Sequence, residues 1–231
     1  MNDFAIAGIH ALTTLDFPGV VSAIVFTQGC NFHCSYCHNP HLVPLTTRIP
    51  LLDTKEILGF LKKRVGLLDG LVISGGEPTL HAGLPAFCRM VKTLGYKIKL
   101  DTNGSNPEVL AVLLGENLLD YVAVDYKTAP EQYAPEFSQA ENLMETLQKT
   151  AGLLASSGIR YEFRTTCVKP YVTEDCAARF ARFAASNAEW FLQKANLDSR
   201  MQAQGMAPMP QESMKRIVEA AQALGIQAKI R

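Results

Sequence analysis

From Val20 onward, short runs rich in β-branched and aromatic residues alternate with stretches whose apolar residues recur every three or four positions. This alternation restricts the chain to an α/β architecture. Residues 20–27 read as a strand. Residues 54–65 read as a helix, with Ile57, Leu58, Leu61 and Val65 on one face and Asp53 as its N-cap. Residues 71–74 form a short strand running into Gly75-Gly76, and residues 84–94 a helix with Leu84, Phe87, Cys88 and Val91 at core spacing, closed by Gly95. Strands at 97–101, 121–125, 160–166, 189–193 and 226–230 then alternate with helices at 107–114, 140–156, 174–186 and 211–224. Repeated β-then-α units imply a parallel sheet joined by right-handed crossovers. A full barrel, a partial barrel and an open doubly wound sheet all satisfy this pattern. Residues 195–210, rich in Met, Gln, Ala and Pro, read as a long irregular loop.

Composition narrows the class. The chain has 231 residues, 48% hydrophobic and 19% charged, which excludes a disordered tail, a fibrous repeat and a disulfide miniprotein. This length suits one domain, 1–231, with a full core. Lys and Arg total 22 against 22 Asp and Glu, so net charge offers no case for nucleic acid or a membrane surface as the main partner. No run approaches the ~18 apolar residues of a membrane span. Met1-Asn2-Asp3-Phe4 lacks the basic start of a signal peptide, so a cytoplasmic location is expected. Six cysteines in such a chain read as metal ligands, reactive thiols or core residues.

In parallel α/β folds, reactive groups gather at the C-terminal ends of strands. Polar clusters stand at those ends here. A cysteine-bearing loop follows the first strand, and Ser74-Gly75-Gly76-Glu77-Pro78 the second. Asp101-Thr102-Asn103-Gly104 follows the third and Asp125-Tyr126-Lys127-Thr128 the fourth, while Arg164-Thr165-Thr166 closes the fifth. Solubility alone does not account for five polar strand ends.

Cys30, Cys34 and Cys37 form C-x3-C-x2-C, so three thiolates from one short loop can reach one metal centre. Structural zinc takes four protein ligands, and His33, His38 and His41 lie close in sequence, which makes a Cys3His zinc site the competing reading. A [4Fe–4S] cubane normally takes four cysteines; with three, one iron stays open to a substrate or cofactor.

The segment Cys30-Asn31-Phe32-His33-Cys34-Ser35-Tyr36-Cys37 resembles the signature of the radical S-adenosylmethionine (radical SAM) superfamily, Tyr36 included. Cys37-His38-Asn39-Pro40 and the upstream Asp16-Phe17-Pro18-Gly19 are similar to the glycyl radical enzyme activating proteins, in particular those serving anaerobic ribonucleoside-triphosphate reductase. The resemblance covers most of residues 15–166 and is weak beyond Cys176. It implies a partial (β/α)6 TIM-like barrel, parallel strands inside and helices outside. It implies one [4Fe–4S] cluster on Cys30, Cys34 and Cys37, with S-adenosylmethionine on the open iron.

The other strand ends take roles from the same resemblance. Gly75, Gly76 and Glu77 match the GGEP segment that meets the amino group of the methionine part; glycines permit close approach and a carboxylate accepts from an ammonium. Asp101, Thr102 and Asn103 match a DTNG segment, hydrogen-bonding the ribose and methionine parts. Asp125 and Lys127 match an Asp-x-Lys, with Lys127 pairing the cofactor carboxylate. Asp101 and Asp125 sharing a monovalent cation is a further expectation. Tyr36 and His38 are expected to pack on the adenine, and Arg164 to meet the cofactor or the partner's backbone. The expected activity is that of an oxidoreductase. An electron from a flavodoxin- or ferredoxin-type donor cleaves S-adenosylmethionine to a 5′-deoxyadenosyl radical. That radical takes hydrogen from a glycine of the partner enzyme. Two rivals stand beside it: a radical SAM enzyme acting on a small molecule, of the 7-carboxy-7-deazaguanine synthase type, and a non-catalytic metal-binding module.

Overall fold

The computed structural model describes residues 3–45, 50–128, 133, 137–138, 142–184 and 188–231. Contact density divides the chain into two compact units.

The first unit comprises Met1–Asn31, Asn39–Thr102 and Glu108–Val122. It holds β1 (Ile6–Thr13), β2 (Ser22–Thr27), α1 (Thr54–Lys62), β3 (Gly70–Gly75), α2 (Leu84–Thr93), β4 (Lys97–Thr102), nearly all of α3 (Pro107–Gly115) and the first two residues of β5 (Tyr121–Asp125). β2, β3 and β4 are parallel, in register from Ser22↔Gly70 to Thr27↔Gly75 and from Gly70↔Lys97 to Ile73↔Leu100. β1 lies antiparallel on β2 with two register shifts. No two-residue alternation marks β1, of which only Ile6 and Thr13 are buried.

The parallel strands are buried on both faces, as their near-continuous apolar runs predict. Phe17, Ile24, Val72 and Tyr121 make one cluster, with the Phe17 and Tyr121 rings 6.0 Å apart. The expected N-cap of α1 is present, Asp53 accepting from the Lys55 amide at 2.8 Å. The helix stops at Lys62, however, three residues short of the expected end. Val65, read as part of its apolar face, is 56% exposed beside Gly66, whose φ of +83° no helix continues.

The second unit comprises Phe32–His38, Asn103–Pro107 and Ala123–Arg231. It holds the rest of β5, α4 (Leu143–Ser156), β6 (Arg160–Lys169), α5 (Cys176–Phe183), β7 (Glu189–Lys194), α6 (Ser199–Ala203), β8 (Ala207–Pro208), α7 (Gln211–Ala223) and β9 (Gln227–Ile230). β6, β7 and β9 are parallel, and β8 pairs antiparallel with β6. Phe180 stacks on Trp190 at 4.2 Å, and the Trp190 indole donates to Thr165 Oγ1 at 2.9 Å, so the buried ring keeps its polar end satisfied. The expected start of α4 at 140 and the expected end of α5 at 186 lie outside the described residues. Residues 195–210 carry α6, capped by Asp198 accepting from the Met201 amide at 2.8 Å, and β8.

The fold is α/β with a mostly parallel sheet and helices between strands. β1 and β9 are the end strands of the order, so the sheet is open, as in a partial barrel. No described helix is long and apolar enough to cross a membrane.

Candidate active site

In the first unit, β2 and β3 end on a close backbone crossing. The Gly76 amide donates to Thr27 O at 2.9 Å and the Glu77 amide to Gly29 O at 2.8 Å. A Cβ on Gly76 would stand 2.0 Å from Gly29 O, and one on Gly75 2.2 Å from Thr27 N, so only glycine fits at either position. This crossing fixes the chain entering Cys30, whose amide donates to Val43 O at 3.0 Å. Gln28 adds a side-chain tie, Nε2 donating to Pro44 O at 2.7 Å.

Glu77 is fully buried. Its Oε1 accepts from the Thr79 amide at 3.1 Å, from Thr79 Oγ1 at 2.6 Å and from Thr102 Oγ1 at 2.7 Å. These three donors help to orient the carboxylate, whose chemistry suits a cationic amine. Thr102 is thus a partner of Glu77. Asp101 carries an ion pair with Lys99, which is 1% exposed and lies 5.8 Å over the Tyr121 ring. Lys99 was missed in the sequence, although its two-residue spacing from Asp101 puts both on one face of β4.

In the second unit, Asp125, Lys127 and Arg164 form one ionic group. Lys127 Nζ lies 2.7 Å from Asp125 Oδ2, and Arg164 Nε and Nη2 both reach Asp125 Oδ1 at 3.0 Å. Burial pushes the Asp125 carboxyl up, but Arg164 and Lys127 outweigh it and hold it well below the usual carboxylate range. Burial likewise opposes the charge on Lys127, and Asp125 first among its neighbours raises it well above the ordinary lysine value. The partner that Arg164 needs is therefore supplied within the chain.

Cys34, half-buried, shares this environment. Burial raises its thiol, Lys127 opposes the rise, and Cys37 and Asp125 add to it. The Cys37 amide donates to Cys34 O at 3.0 Å, closing the turn between the two thiols. Tyr36 is buried against Phe137 and Tyr171, both at 5.7 Å between ring centroids, and burial raises its hydroxyl far above the normal phenol value. Tyr133 and Tyr171, which no sequence motif marks, complete this aromatic wall; Tyr133 Oη accepts from the Lys127 amide at 2.5 Å. His38 Nε2–H donates to Asn196 O at 2.8 Å. Asn103 Oδ1 accepts from the Ser105 amide at 2.9 Å in an Asx turn.

Cys88, Cys167 and Cys176 are buried, and burial pushes each thiol up to about 12. They differ in kind from Cys30, Cys34 and Cys37, which are half-buried and unbridged. Among the described residues no three His, Cys, Asp or Glu side chains converge as a single-ion site requires. A cubane needs no such convergence, because each thiolate binds its own iron. Within the second unit, the half-buried thiols of Cys34 and Cys37, with Lys127 opposing the cost of ionising Cys34, have the donor chemistry that an iron–sulfur cluster takes.

Comparison with known proteins agrees. Residues 24–184 match the model of the radical SAM superfamily. "Putative glycyl-radical enzyme activating enzyme MJ1227" of Methanocaldococcus jannaschii is 35% identical over 176 residues, covering 74% of this chain and 71% of that one. A 7-carboxy-7-deazaguanine synthase of Aquifex aeolicus is 32% identical over 89 residues, covering 38% of each chain. Among solved structures, QueE from Escherichia coli superposes with a TM-score of 0.59 at 14% identity, covering 99% of this chain and 93% of that one, a likeness of fold. With the family match spanning β2 to α5 and the cysteine loop inside it, the chain belongs to the radical SAM superfamily.

Proposed function

We propose that this radical SAM enzyme activates a glycyl radical enzyme, and that its partner is anaerobic ribonucleoside-triphosphate reductase. The observation that carries the reading is the 35% identity to the Methanocaldococcus jannaschii protein across 74% of the chain, a stretch far longer than the cysteine motif. Membership of the superfamily implies a [4Fe–4S] cluster and S-adenosylmethionine. When bound, these supply a one-electron cleavage to methionine and a 5′-deoxyadenosyl radical, which takes hydrogen from a glycine of the partner.

Cys30, Cys34 and Cys37 hold the cluster in this reading. Glu77, oriented by Thr79 and Thr102, accepts from the methionine ammonium, and Gly75 and Gly76 permit the close backbone crossing that leads into it. Lys127 neutralises the ligand carboxylate, while Asp125 keeps Lys127 charged and holds both Lys127 and Arg164 in place. Asp101, Thr102 and Asn103 serve the ribose and methionine parts, and Tyr36 and His38 the adenine. A flavodoxin- or ferredoxin-type protein donates the electron.

Anaerobic incubation of the reconstituted protein with the reductase, dithionite and S-adenosylmethionine tests this. A glycyl radical signal by electron paramagnetic resonance is expected, absent with Cys34→Ala. Deoxyadenosine formation that requires an added small molecule, with no protein-borne radical, would shift the assignment to the synthase-type rival. A zinc-loaded, colourless protein that leaves S-adenosylmethionine intact would sink both.

A further inference from the structure

The segment 195–210, which reads in sequence as a long irregular loop, reaches back to the cysteine loop within the second unit. Arg200 Nη1 donates to Ser35 O at 3.2 Å and Arg200 Nη2 to Cys37 O at 3.2 Å. One planar guanidinium thus grips two carbonyls of a single turn, a geometry that lysine cannot reproduce. Beside it, His38 Nε2–H donates to Asn196 O at 2.8 Å. The grip is itself anchored: Met201, next in the chain, is 1% exposed, Asp198 caps α6, and Asp198 Oδ2 stands 3.6 Å from Arg200 Nη2. On its other side the turn is held by Ser35 Oγ, 2.6 Å from Tyr171 Oη. Ser35 and Cys37 bracket the stretch between two thiols, so whatever fixes their carbonyls fixes the spacing of Cys34 and Cys37.

We propose that Arg200 is a positioning residue for the cluster: its fork sets the Cys34–Cys37 turn, and its positive charge raises the cluster's reduction potential. The proposal rests on reading Cys34 and Cys37 as cluster ligands. A fixed cation beside a cluster stabilises the reduced, more negative state, and hydrogen bonding and charge around such clusters are the protein's main controls on potential. The Coulomb contribution is moderated by solvent, since the Arg200 side chain is 43% exposed.

The test compares wild type, Arg200→Met and Arg200→Lys by three measurements. Two use the reconstituted protein: iron release to a chelator and the midpoint potential followed by electron paramagnetic resonance. The third uses the metal-free chain, as the rate at which a maleimide labels Cys34 and Cys37. Arg200→Met is expected to lose iron roughly fivefold faster, as loss of hydrogen bonds of ordinary strength implies, and to show a more negative potential. Arg200→Lys, which keeps the charge but not the fork, is expected to release iron faster than wild type while holding a potential nearer to it. Faster labelling in both metal-free variants is the third expected result. Wild-type iron retention and potential in Arg200→Met would overturn the proposal. If the wild type itself assembles no cluster, the cluster reading fails, and unchanged labelling rates would overturn the grip independently.

Discussion

Thr102 Oγ1 donates a 2.7 Å hydrogen bond to Glu77 Oε1, tying the end of β4 to the second residue past β3. Both side chains are buried, so the contact acts where water cannot replace it. Thr102→Val keeps the shape and removes the donor. Thermal denaturation is expected to show a loss of about 1–3 kcal/mol, the cost of withdrawing one partner from a buried charged acceptor. If Glu77 binds the methionine ammonium as proposed, isothermal titration should show weaker S-adenosylmethionine binding, because Glu77 is less constrained. Thr102→Ser, which restores the hydroxyl, should recover most of the affinity. Equal affinity in Val and Ser variants would remove Thr102 from the orienting role.

The ionic group around Asp125 predicts a signed pH dependence. Its carboxyl titrates well below the unfolded-state value of ~3.9, so its contribution to stability is fully present above about pH 4. That contribution declines as pH falls toward the folded-state value. Asp125→Asn lacks it at every pH and withdraws the carboxylate that Arg164 and Lys127 share. Urea denaturation at pH 7 should show the variant less stable by about 2–3 kcal/mol, within the range for breaking a partly buried charged pair. The gap to wild type should narrow below about pH 4. A gap that widens on acidification would contradict the assigned direction.

Much of the fold was legible because parallel strands buried on both faces write unbroken apolar runs, as in residues 71–73 and 122–124. The motifs opening at Ser74 and Asp125 were legible because each follows such a run directly. What escaped obeys different physics. β1 is half exposed and bulged, so neither period nor hydrophobicity marks it. Lys99 and Asp101 share a face, but a lysine in a strand reads as exposed until its partner is known. Arg200, Tyr133 and Tyr171 act through contacts distant in sequence, Tyr133 against Phe32 among them, and no local pattern reports those.

Burial sorts the six cysteines into two groups of three. Thiolates are the reactive species, and Cys88, Cys167 and Cys176 combine deep burial with thiols near 12. Anaerobic treatment of the metal-free chain with a maleimide at pH 7, followed by peptide mass spectrometry, should modify Cys30, Cys34 and Cys37. The other three should react only after denaturation. Reconstitution with iron and sulfide before labelling should protect the first group, giving a measurement of ligation that needs no turnover. Labelling of Cys30 undiminished by the cluster would exclude it as a ligand.

Two glycines separate steric crowding from backbone strain. Gly95 closes α2 with a φ of +87° and nothing within 4 Å of an added Cβ, so Gly95→Ala meets only the left-handed penalty of about 1–2 kcal/mol. Gly76 has the opposite problem. An added Cβ there would stand 2.0 Å from Gly29 O, a backbone atom that no rotamer change can move away. Relief requires parting the crossing that carries the 2.8 Å Glu77 N–Gly29 O hydrogen bond, and Gly29 leads directly into Cys30. Gly76→Ala is therefore expected to lower the melting temperature more than Gly95→Ala does. It should also reduce iron incorporation, which Gly95→Ala should leave at the wild-type level. Equal iron content in the two variants would mean that the crossing does not set the position of the cysteine loop.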